Sequence, residues 1–312
     1  MRIGIDLGGT KTEAIVLGDD GQECARRRVN SAQGDYDATI RAIRDLVHAV
    51  ATEAGCDADA TVGVGIPGAI SPKAGLVKNA NSTWLIGHAL DRDLAAALNL
   101  PVRLANDANC FAVSEAVDGA ARGAETVFGV ILGTGVGGGL AIDGQVHTGR
   151  NAIAGEWGHN PLPWPSDIGG AHEYPGPACY CGKHGCIETF LSGPGLANDY
   201  AAAGGAPLSA AEIAELARAG DTAALAALQR YTDRLARAIS GVINILDPDV
   251  VVFGGGLSHL ETIYETLPDL LGRYVFSDVC DTPMVKNKHG DSSGVRGAAW
   301  LWPKELNEEP SA

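Results

Sequence analysis

The chain has 312 residues, 46% hydrophobic and 20% charged, enough for one large or two medium globular domains with real cores. Its formal net charge of -15 repels a nucleic-acid backbone, and no apolar run is long enough to cross a bilayer as a helix, so neither partner is expected. A phosphate ligand is still allowed if backbone N–H groups, a lysine or a cation hold it locally, and the 42 glycines cluster where such holding would occur.

In chain order, Arg2–Asp6 reads as a buried strand, Gly8-Gly9 as a turn and Glu13–Leu17 as a second strand, together a hairpin. No apolar leader precedes it, so a reducing cytoplasm is expected. Tyr36–Ala54 has helical period, with Ile40, Ile43, Leu46, Val47 and Val50 on one face. Thr61–Ile66 is a strand ending at Pro67-Gly68. Leu90–Leu98 reads as a helix, Val102–Ala105 as a strand and Asn109–Val117 as a helix. Thr126–Leu132 is an apolar strand that enters a glycine turn, Gly133–Gly139, followed by strand Leu140–Ile142. Further on come alanine-rich helices, Ala210–Ala219 and Ala223–Ile245, and strand Val250–Phe253 running into Gly254-Gly255-Gly256. A helix over Gly297–Trp302 and a polar end close the chain. The strand–turn–strand unit at 2–17 recurs at 126–142. That suggests two related α/β halves, with a boundary near Asp118-Gly119, each presenting a glycine hairpin to a shared cleft.

Asp6-Leu7-Gly8-Gly9-Thr10-Lys11 brings together a carboxylate, bare backbone, a hydroxyl and an amine. Glycines let N–H groups approach phosphate oxygens, Thr10 and Lys11 add donors, and Asp6 can orient Mg²⁺ through water. The same run also suits an ordinary hairpin turn. Gly133-Thr134-Gly135-Val136-Gly137-Gly138-Gly139 and Gly63–Gly68 both contain G-x-G-x-x-G. Neither is a dinucleotide fingerprint, because the first leads into a strand and the second contains Pro67. Gly254, Gly255 and Gly256 could admit a flat adenine, or could simply mark close packing. Asn106-Asp107 follows a strand and opens a helix. Asp107 can be an N-cap or a general base, with Asn106 holding a neighbouring hydroxyl. Asn79, Asn81 and Trp84 can line the same cleft, although Trp84 suits a core.

Seven cysteines are present, and three of them crowd one run, Cys179-Tyr180-Cys181-Gly182-Lys183-His184-Gly185-Cys186. Disulfides or free thiols are the bland reading. In a reducing compartment, such spacing points instead to a zinc site that needs a fourth ligand. His184 lies inside the loop. His159 lies upstream, three residues after Glu156, and Glu188 follows the loop. Glu156, His159 and Glu188 together suit a polyhydroxylated ligand.

These motifs together resemble the ROK family (repressor, open reading frame, kinase) of sugar kinases over nearly the whole chain. Asp6–Lys11 and Gly133–Gly139 look like its two phosphate motifs and Asn106-Asp107 like its sugar-binding and catalytic pair. Gly155-Glu156-x-Gly158-His159 with Cys179-x-Cys181-Gly182-x-x-Gly185-Cys186-x-Glu188 looks like its zinc signature. The resemblance implies an α/β, actin-like, ribonuclease-H-type fold of two domains, 1–118 with 297–312 and 119–296. It implies ATP and Mg²⁺ in the cleft, held around Gly4, Asp6, Gly8, Gly9, Thr10, Lys11, Gly133, Thr134, Gly135, Gly137, Gly138, Gly139, Gly254, Gly255 and Gly256. Asp107 would be the base, and Asn81, Asn106, Glu156, His159 and Glu188 would hold sugar. His159, not His184, would complete a structural Zn²⁺ site with Cys179, Cys181 and Cys186, and the assembly would be a homodimer.

Within the family, the runs Val77–Leu85, Gly158–Trp164 and Lys288–Gly297 look like those of bacterial fructokinases, also called manno(fructo)kinases. That likeness implies phosphoryl transfer from ATP to the 6-hydroxyl of D-fructose, with mannose as a second acceptor. N-acetylglucosamine kinases and glucokinases of the family are the alternative; the former share the motifs but look different around Trp84 and Trp164. Family repressors carry an added DNA-binding region, which the strand beginning after Met1 and the acidic charge argue against. A catalytically silent sugar-binding scaffold is opposed by Asp107. Pro165–Pro177 is a Gly- and Pro-rich departure expected to border the cleft.

Overall fold

The computed structural model describes residues 1–56, 60–166 and 173–303. The middle of the Pro165–Pro177 departure and the polar end of the chain lie outside the described residues.

Three strands open the chain as an antiparallel meander: β1 (Arg2–Leu7), β2 (Lys11–Leu17) and β3 (Glu23–Asn30). Helix α1 (Tyr36–Ala54) follows. Asp35 caps its first turn by accepting from the Ala38 N–H, and Gly55 ends it at φ 63°. Its stripe of Ile43, Leu46, Val47 and Val50 is buried against the sheet. Next come β4 (Thr61–Ile66), a small ribbon of β5 (Ala69–Ile70) and β6 (Val77–Lys78), α2 (Leu90–Leu98) and β7 (Val102–Asn106). The first sheet runs β3-β2-β1-β4-β7.

Helix α3 (Asp107–Val117) leads to β8 (Thr126–Leu132), β9 (Val136–Ile142) and β10 (Gln145–Val146). Four helices follow: α4 (Ile187–Leu191), α5 (Gly193–Ala202), α6 (Ala210–Arg218) and α7 (Thr222–Leu246). The chain then forms β11 (Val250–Gly254), α8 (Thr262–Glu265), α9 (Leu267–Leu271), β12 (Met284–Lys286) and α10 (Ser293–Ala299). The second sheet runs β10-β9-β8-β11-β12. Both sheets therefore share one pattern, two antiparallel pairings followed by two parallel ones. The repetition legible in the two glycine hairpins extends to whole sheets.

Tyr36–Ala54, Thr61–Ile66, Leu90–Leu98 and Thr126–Leu132 fold with the bounds read from the sequence. Other readings need correction. The glycine turn is only Gly133–Gly135, because Gly137, Gly138 and Gly139 belong to β9. A Cβ at Gly139 would overlap the Ala108 carbonyl, and one at Gly138 would meet the Trp157 ring at 2.7 Å, so these glycines admit α3 and Trp157 against the strand. The last helix starts at Ser293, not at Gly297, and Gly297 is where α10 crosses α3: a side chain there would overlap the Cys110 carbonyl. Helix α3 starts at Asp107, and its N-cap is Asn106 rather than Asp107.

Several short elements escaped the sequence, among them β5, β6, β10, α4, α8 and α9, and three cases show why. Strand β3 buries only Ala25 among mostly exposed polar residues, so it shows no alternation. Helix α5 opens on Gly193-Pro194-Gly195, which reads as loop, yet Ser192 caps it and Pro194 occupies the first turn. Strand β12 is only three residues long. Trp84 is half-buried against the first core, with its Nε1 donating to Thr39 Oγ1 at 3.2 Å. No helix among the described residues is long and apolar enough to cross a membrane.

Candidate active site

Strand β7 runs straight into α3, which sets Asn106 and Asp107 at a helix N-terminus. The Ala108 N–H donates to both Asn106 Oδ1 (2.9 Å) and Asp107 Oδ1 (2.8 Å). Crowding by surrounding protein raises the Asp107 pKa, the Ala108 N–H opposes the rise, and the charge of Glu156 adds to it. The residue is exposed, so water relieves part of the burial penalty. Asp6, at the end of β1, is pushed up to about 6 by burial and by the charges of Asp107 and Glu13, against a smaller pull from Arg28. Two acids from one sheet, Asp6 on β1 and Asp107 just after β7, thus lie close enough for their charges to interact, an arrangement suited to a divalent cation or to a proton shared with substrate.

The first glycine turn is held from outside. Gly8 N–H donates to the Lys11 carbonyl (3.0 Å), Ser31 Oγ to the Gly8 carbonyl (2.7 Å) and Gln33 Nε2 to the Gly9 carbonyl (2.8 Å). Gly9, Thr10 and Lys11 stay exposed. Gly4, expected with the cofactor contacts, is instead buried beneath α10, where a side chain would overlap the Val295 carbonyl. Gly254 is likewise buried, against the Phe111 ring, and Gly255 adopts φ 81° against the Leu132 carbonyl. Gly133, Thr134 and Gly256 line a cavity of about 770 Å³, with Pro194, Ala214, Glu215, Arg218, Leu257 and His259 among its other walls. That volume suits a nucleoside. The α5 residues were missed because that helix escaped the sequence, and the α6 residues because theirs was marked only as alanine-rich.

A second cavity, of about 340 Å³, lies beside the acids. Asn106, Asn109, Glu156, Thr148 and Arg150 supply polar groups, while Ile66, Ala69, Ile70, Leu104 and Ile153 supply an apolar wall. Its size is at the lower end for small-molecule sites, about 300–1,000 Å³. Asn109 was missed, although its spacing of three from Asn106 puts both on one face of α3. Asn81, expected to hold sugar, is exposed after β6 and is not part of this wall, nor are Trp84 and Trp164.

The cysteine loop brings His159, Cys179, Cys181 and Cys186 together, with all four donor atoms within 4.8 Å of one another. Cys181 Sγ and Cys186 Sγ are 3.6 Å apart, too far for a disulfide bond of about 2.05 Å. Cys179 Sγ is 3.6 Å from His159 Nδ1. Zinc bond lengths in a tetrahedron place sulfurs about 3.8 Å apart and sulfur and nitrogen about 3.6 Å apart, so the donors fit such an ion. Burial and the neighbouring thiols push the Cys186 thiol up to about 12, a cost that a bound cation would remove. His184 is exposed and outside the cluster. His159 Nε2 meets Tyr180 Oη at 3.0 Å. Glu188, half-buried on α4, takes the Val136 N–H at 2.9 Å. The described end of the Pro165–Pro177 departure is tied to α7, not to the cleft: Glu173 pairs with Arg234 and Arg237, each at 2.7 Å.

The profile of the ROK family matches residues 2–305. This chain belongs to the ROK family. An N-acetyl-D-glucosamine kinase of Yersinia pseudotuberculosis is 42% identical over 303 residues, 96% of this chain and 98% of that protein. Among solved structures, a ROK hexokinase from Thermus thermophilus superposes with TM-score 0.83 at 30% identity, covering 96% of this chain and 97% of the other. A ROK glucokinase from Streptomyces griseus, solved with glucose and AMPPNP, gives 0.74 at 26% identity, covering 96% and 98%. The actin-like fold expected of the family is the fold found. The likeness to fructokinases read from local runs gains no support from these ROK relatives.

Asp6 supplies a test of the facing acids. Its folded pKa lies above its ordinary value of 3.8, so the folded state holds the extra proton between about pH 4 and 6 and loses stability as pH rises through that window. Asp6→Asn should therefore stabilise the ligand-free protein at pH 7.5, by roughly 1–2 kcal/mol, with the gain shrinking toward pH 4. Denaturant titrations at both pH values check this; a destabilised variant at pH 7.5 contradicts the electrostatic account.

Proposed function

We propose that this protein is an ATP-dependent N-acetyl-D-glucosamine kinase, acting at the 6-hydroxyl. One observation carries the choice of sugar: a polar set, Asn106, Asn109 and Glu156, shares its cavity with an apolar wall of Ile66, Ile70 and Ile153. Ring hydroxyls need the first, and an acetamido methyl needs the second. The Yersinia relative's name supports the same reading. D-Fructose, which the local runs implied, is the weaker reading, because their tryptophans lie outside that cavity.

In this reading the two halves of the chain close on the ligands; the boundary expected at 296/297 falls inside α10, so the whole of that helix goes with residues 1–118. The nucleoside occupies the cavity between Gly133, α5, α6 and Gly256, and the glycine turns face its phosphates. Asp107 accepts the O6 proton as the bond from O6 to the γ-phosphorus forms. The bond from that phosphorus to the bridging oxygen breaks, and ADP leaves. A raised pKa makes Asp107 a stronger base than an ordinary carboxylate. Asn106 and Glu156 orient the sugar, since phosphoryl transfer depends mainly on positioning and charge neutralisation. Mg²⁺, when bound with the nucleotide, would offset phosphate charge, and Asp6 is the carboxylate placed to hold it through water. Zn²⁺ would be held by His159 Nδ1 and three thiolates, which fixes the histidine ring and its Nε2 edge.

A panel of N-acetylglucosamine, glucose, mannose and fructose, read by coupled ADP release at matched concentrations, tests the sugar. N-acetylglucosamine should have the highest kcat/KM, and higher turnover of fructose would reject the assignment. Asp107→Asn should cut kcat by about 10²–10⁴ while sugar affinity changes only a few-fold; near-wild-type turnover would remove Asp107 from the base role.

The metal reading has its own check. Elemental analysis should find about one zinc per chain, retained in His184→Ala and lost or weakened in His159→Ala. The reverse pattern would show that the wrong histidine has been chosen.

A further inference from the structure

The segment after the cysteine loop grips the second glycine turn at two points. Glu188 Oε2 accepts the Val136 N–H at 2.9 Å, and the Gly193 N–H donates to the Gly133 carbonyl at 2.8 Å. The first bond comes from helix α4 and the second from Gly193, which opens α5. The N-cap of α4 is Cys186, one of the four metal donors, and its first residue, Ile187, donates to the Asn160 carbonyl next to His159 at 2.9 Å. The contact with Glu188 is close-fitting: a Cβ on Gly135 would lie 2.7 Å from the same carboxylate oxygen. Inside the turn, the Gly133 N–H is used by the Gly135 carbonyl at 2.9 Å. Among the described residues the Thr134 and Gly135 N–H groups have no protein acceptor. Free N–H groups on a fixed turn are what a phosphate oxygen binds.

We infer that Glu188 is a positioning residue for the nucleotide phosphates, and that the metal loop braces the nucleotide end of the site through it. This rests on the nucleotide site proposed above. The carboxylate has two oxygens. Oε2 serves the turn, which leaves Oε1 available to the sugar role implied by the family resemblance. Turning the Val136 N–H inward keeps it from competing for the ligand and sets the plane of the neighbouring peptides. Loss of the acceptor would leave a half-buried N–H unpaired, and the turn would rotate to reach water.

The test is ADP binding by isothermal titration calorimetry, with no sugar present, on full-length metal-loaded protein. Glu188→Ala should weaken ADP about tenfold. Glu188→Gln, which keeps an acceptor oxygen, should stay within about threefold of wild type. Gly135→Ala leaves Glu188 in place but crowds its oxygen; it should also weaken ADP, and it keeps the test open if Glu188→Ala folds poorly. Equal ADP affinity in wild type, Glu188→Ala and Gly135→Ala would overturn the inference and leave Glu188 to the sugar alone. A loss in Glu188→Gln as large as in Glu188→Ala would also overturn it, because charge rather than hydrogen-bond acceptance would then matter. If wild type binds no ADP, the nucleotide site itself is misplaced, a result separable from either of these.

Discussion

Two helices packed without side-chain spacers hold the site together. Helix α3 lies on the second sheet because Gly129 and Gly139 let its backbone touch the strands. Helix α10 lies on the first sheet because Gly4 and Gly63 do the same. The helices meet at Gly297 and Cys110, beside a buried cluster that includes Ile15 from the first sheet, Val127 and Val252 from the second, and Phe111 and Trp300. Such close approach leaves little room for sliding, since any added carbon must displace backbone. It also fixes the start of α3, so Asp107, just after β7, is held near Asp6 on β1, two strands away in the first sheet. Buried Glu115 reinforces the crossing by accepting from Ser293 Oγ (2.7 Å), the Lys288 N–H (3.0 Å) and the Ala120 N–H (2.8 Å). Asp118 adds contacts to His289, Arg296 and Trp300.

That packing explains what the sequence could and could not say. Chemistry-bearing residues were legible because their type is demanded locally. A glycine turn, an Asn-Asp pair at a helix start and closely spaced cysteines each carry a mechanism within a few residues. The doubling of the hairpin was legible for the same reason. Sugar choice was not. The runs that suggested fructose turn out to do structural work. Lys288–Gly297 supplies His289, Ser293 and Arg296 to the crossing of the helices. Trp164 adopts φ 46°, stacks on Tyr274 with ring centroids 5.6 Å apart, and offers its carbonyl to Arg237 at 2.8 Å. Trp84 bonds to Thr39. Such residues serve the scaffold, while the cavity wall draws on Ile66, Ile70, Leu104 and Ile153, from several segments of the chain. No local pattern marks a surface assembled that way.

The cysteine loop gains a wider role from its neighbours. Its short reach gathers four donors, and α4 and the start of α5 carry that order to the glycine turn through Glu188 and Gly193. On the far side, Glu173 links the loop to Arg234 and Arg237 of α7, and Asp199 of α5 joins the same network through Arg230 and Arg234. These ion pairs are buried, so each charge needs its partner. In the proposed reading, the metal loop and the nucleotide end are thereby built on one connected support, which suits a reaction that needs both ligands aligned at once.

The central claim is that the Asp107 carboxylate meets the acceptor hydroxyl opposite the terminal phosphate. A crystal structure with N-acetylglucosamine and a non-hydrolysable ATP analogue measures this directly. The account predicts an Asp107 oxygen about 2.6–3.2 Å from O6, with the γ-phosphorus on the other side of that oxygen. An Asp107 side chain turned away from O6, with both ligands bound, would contradict it.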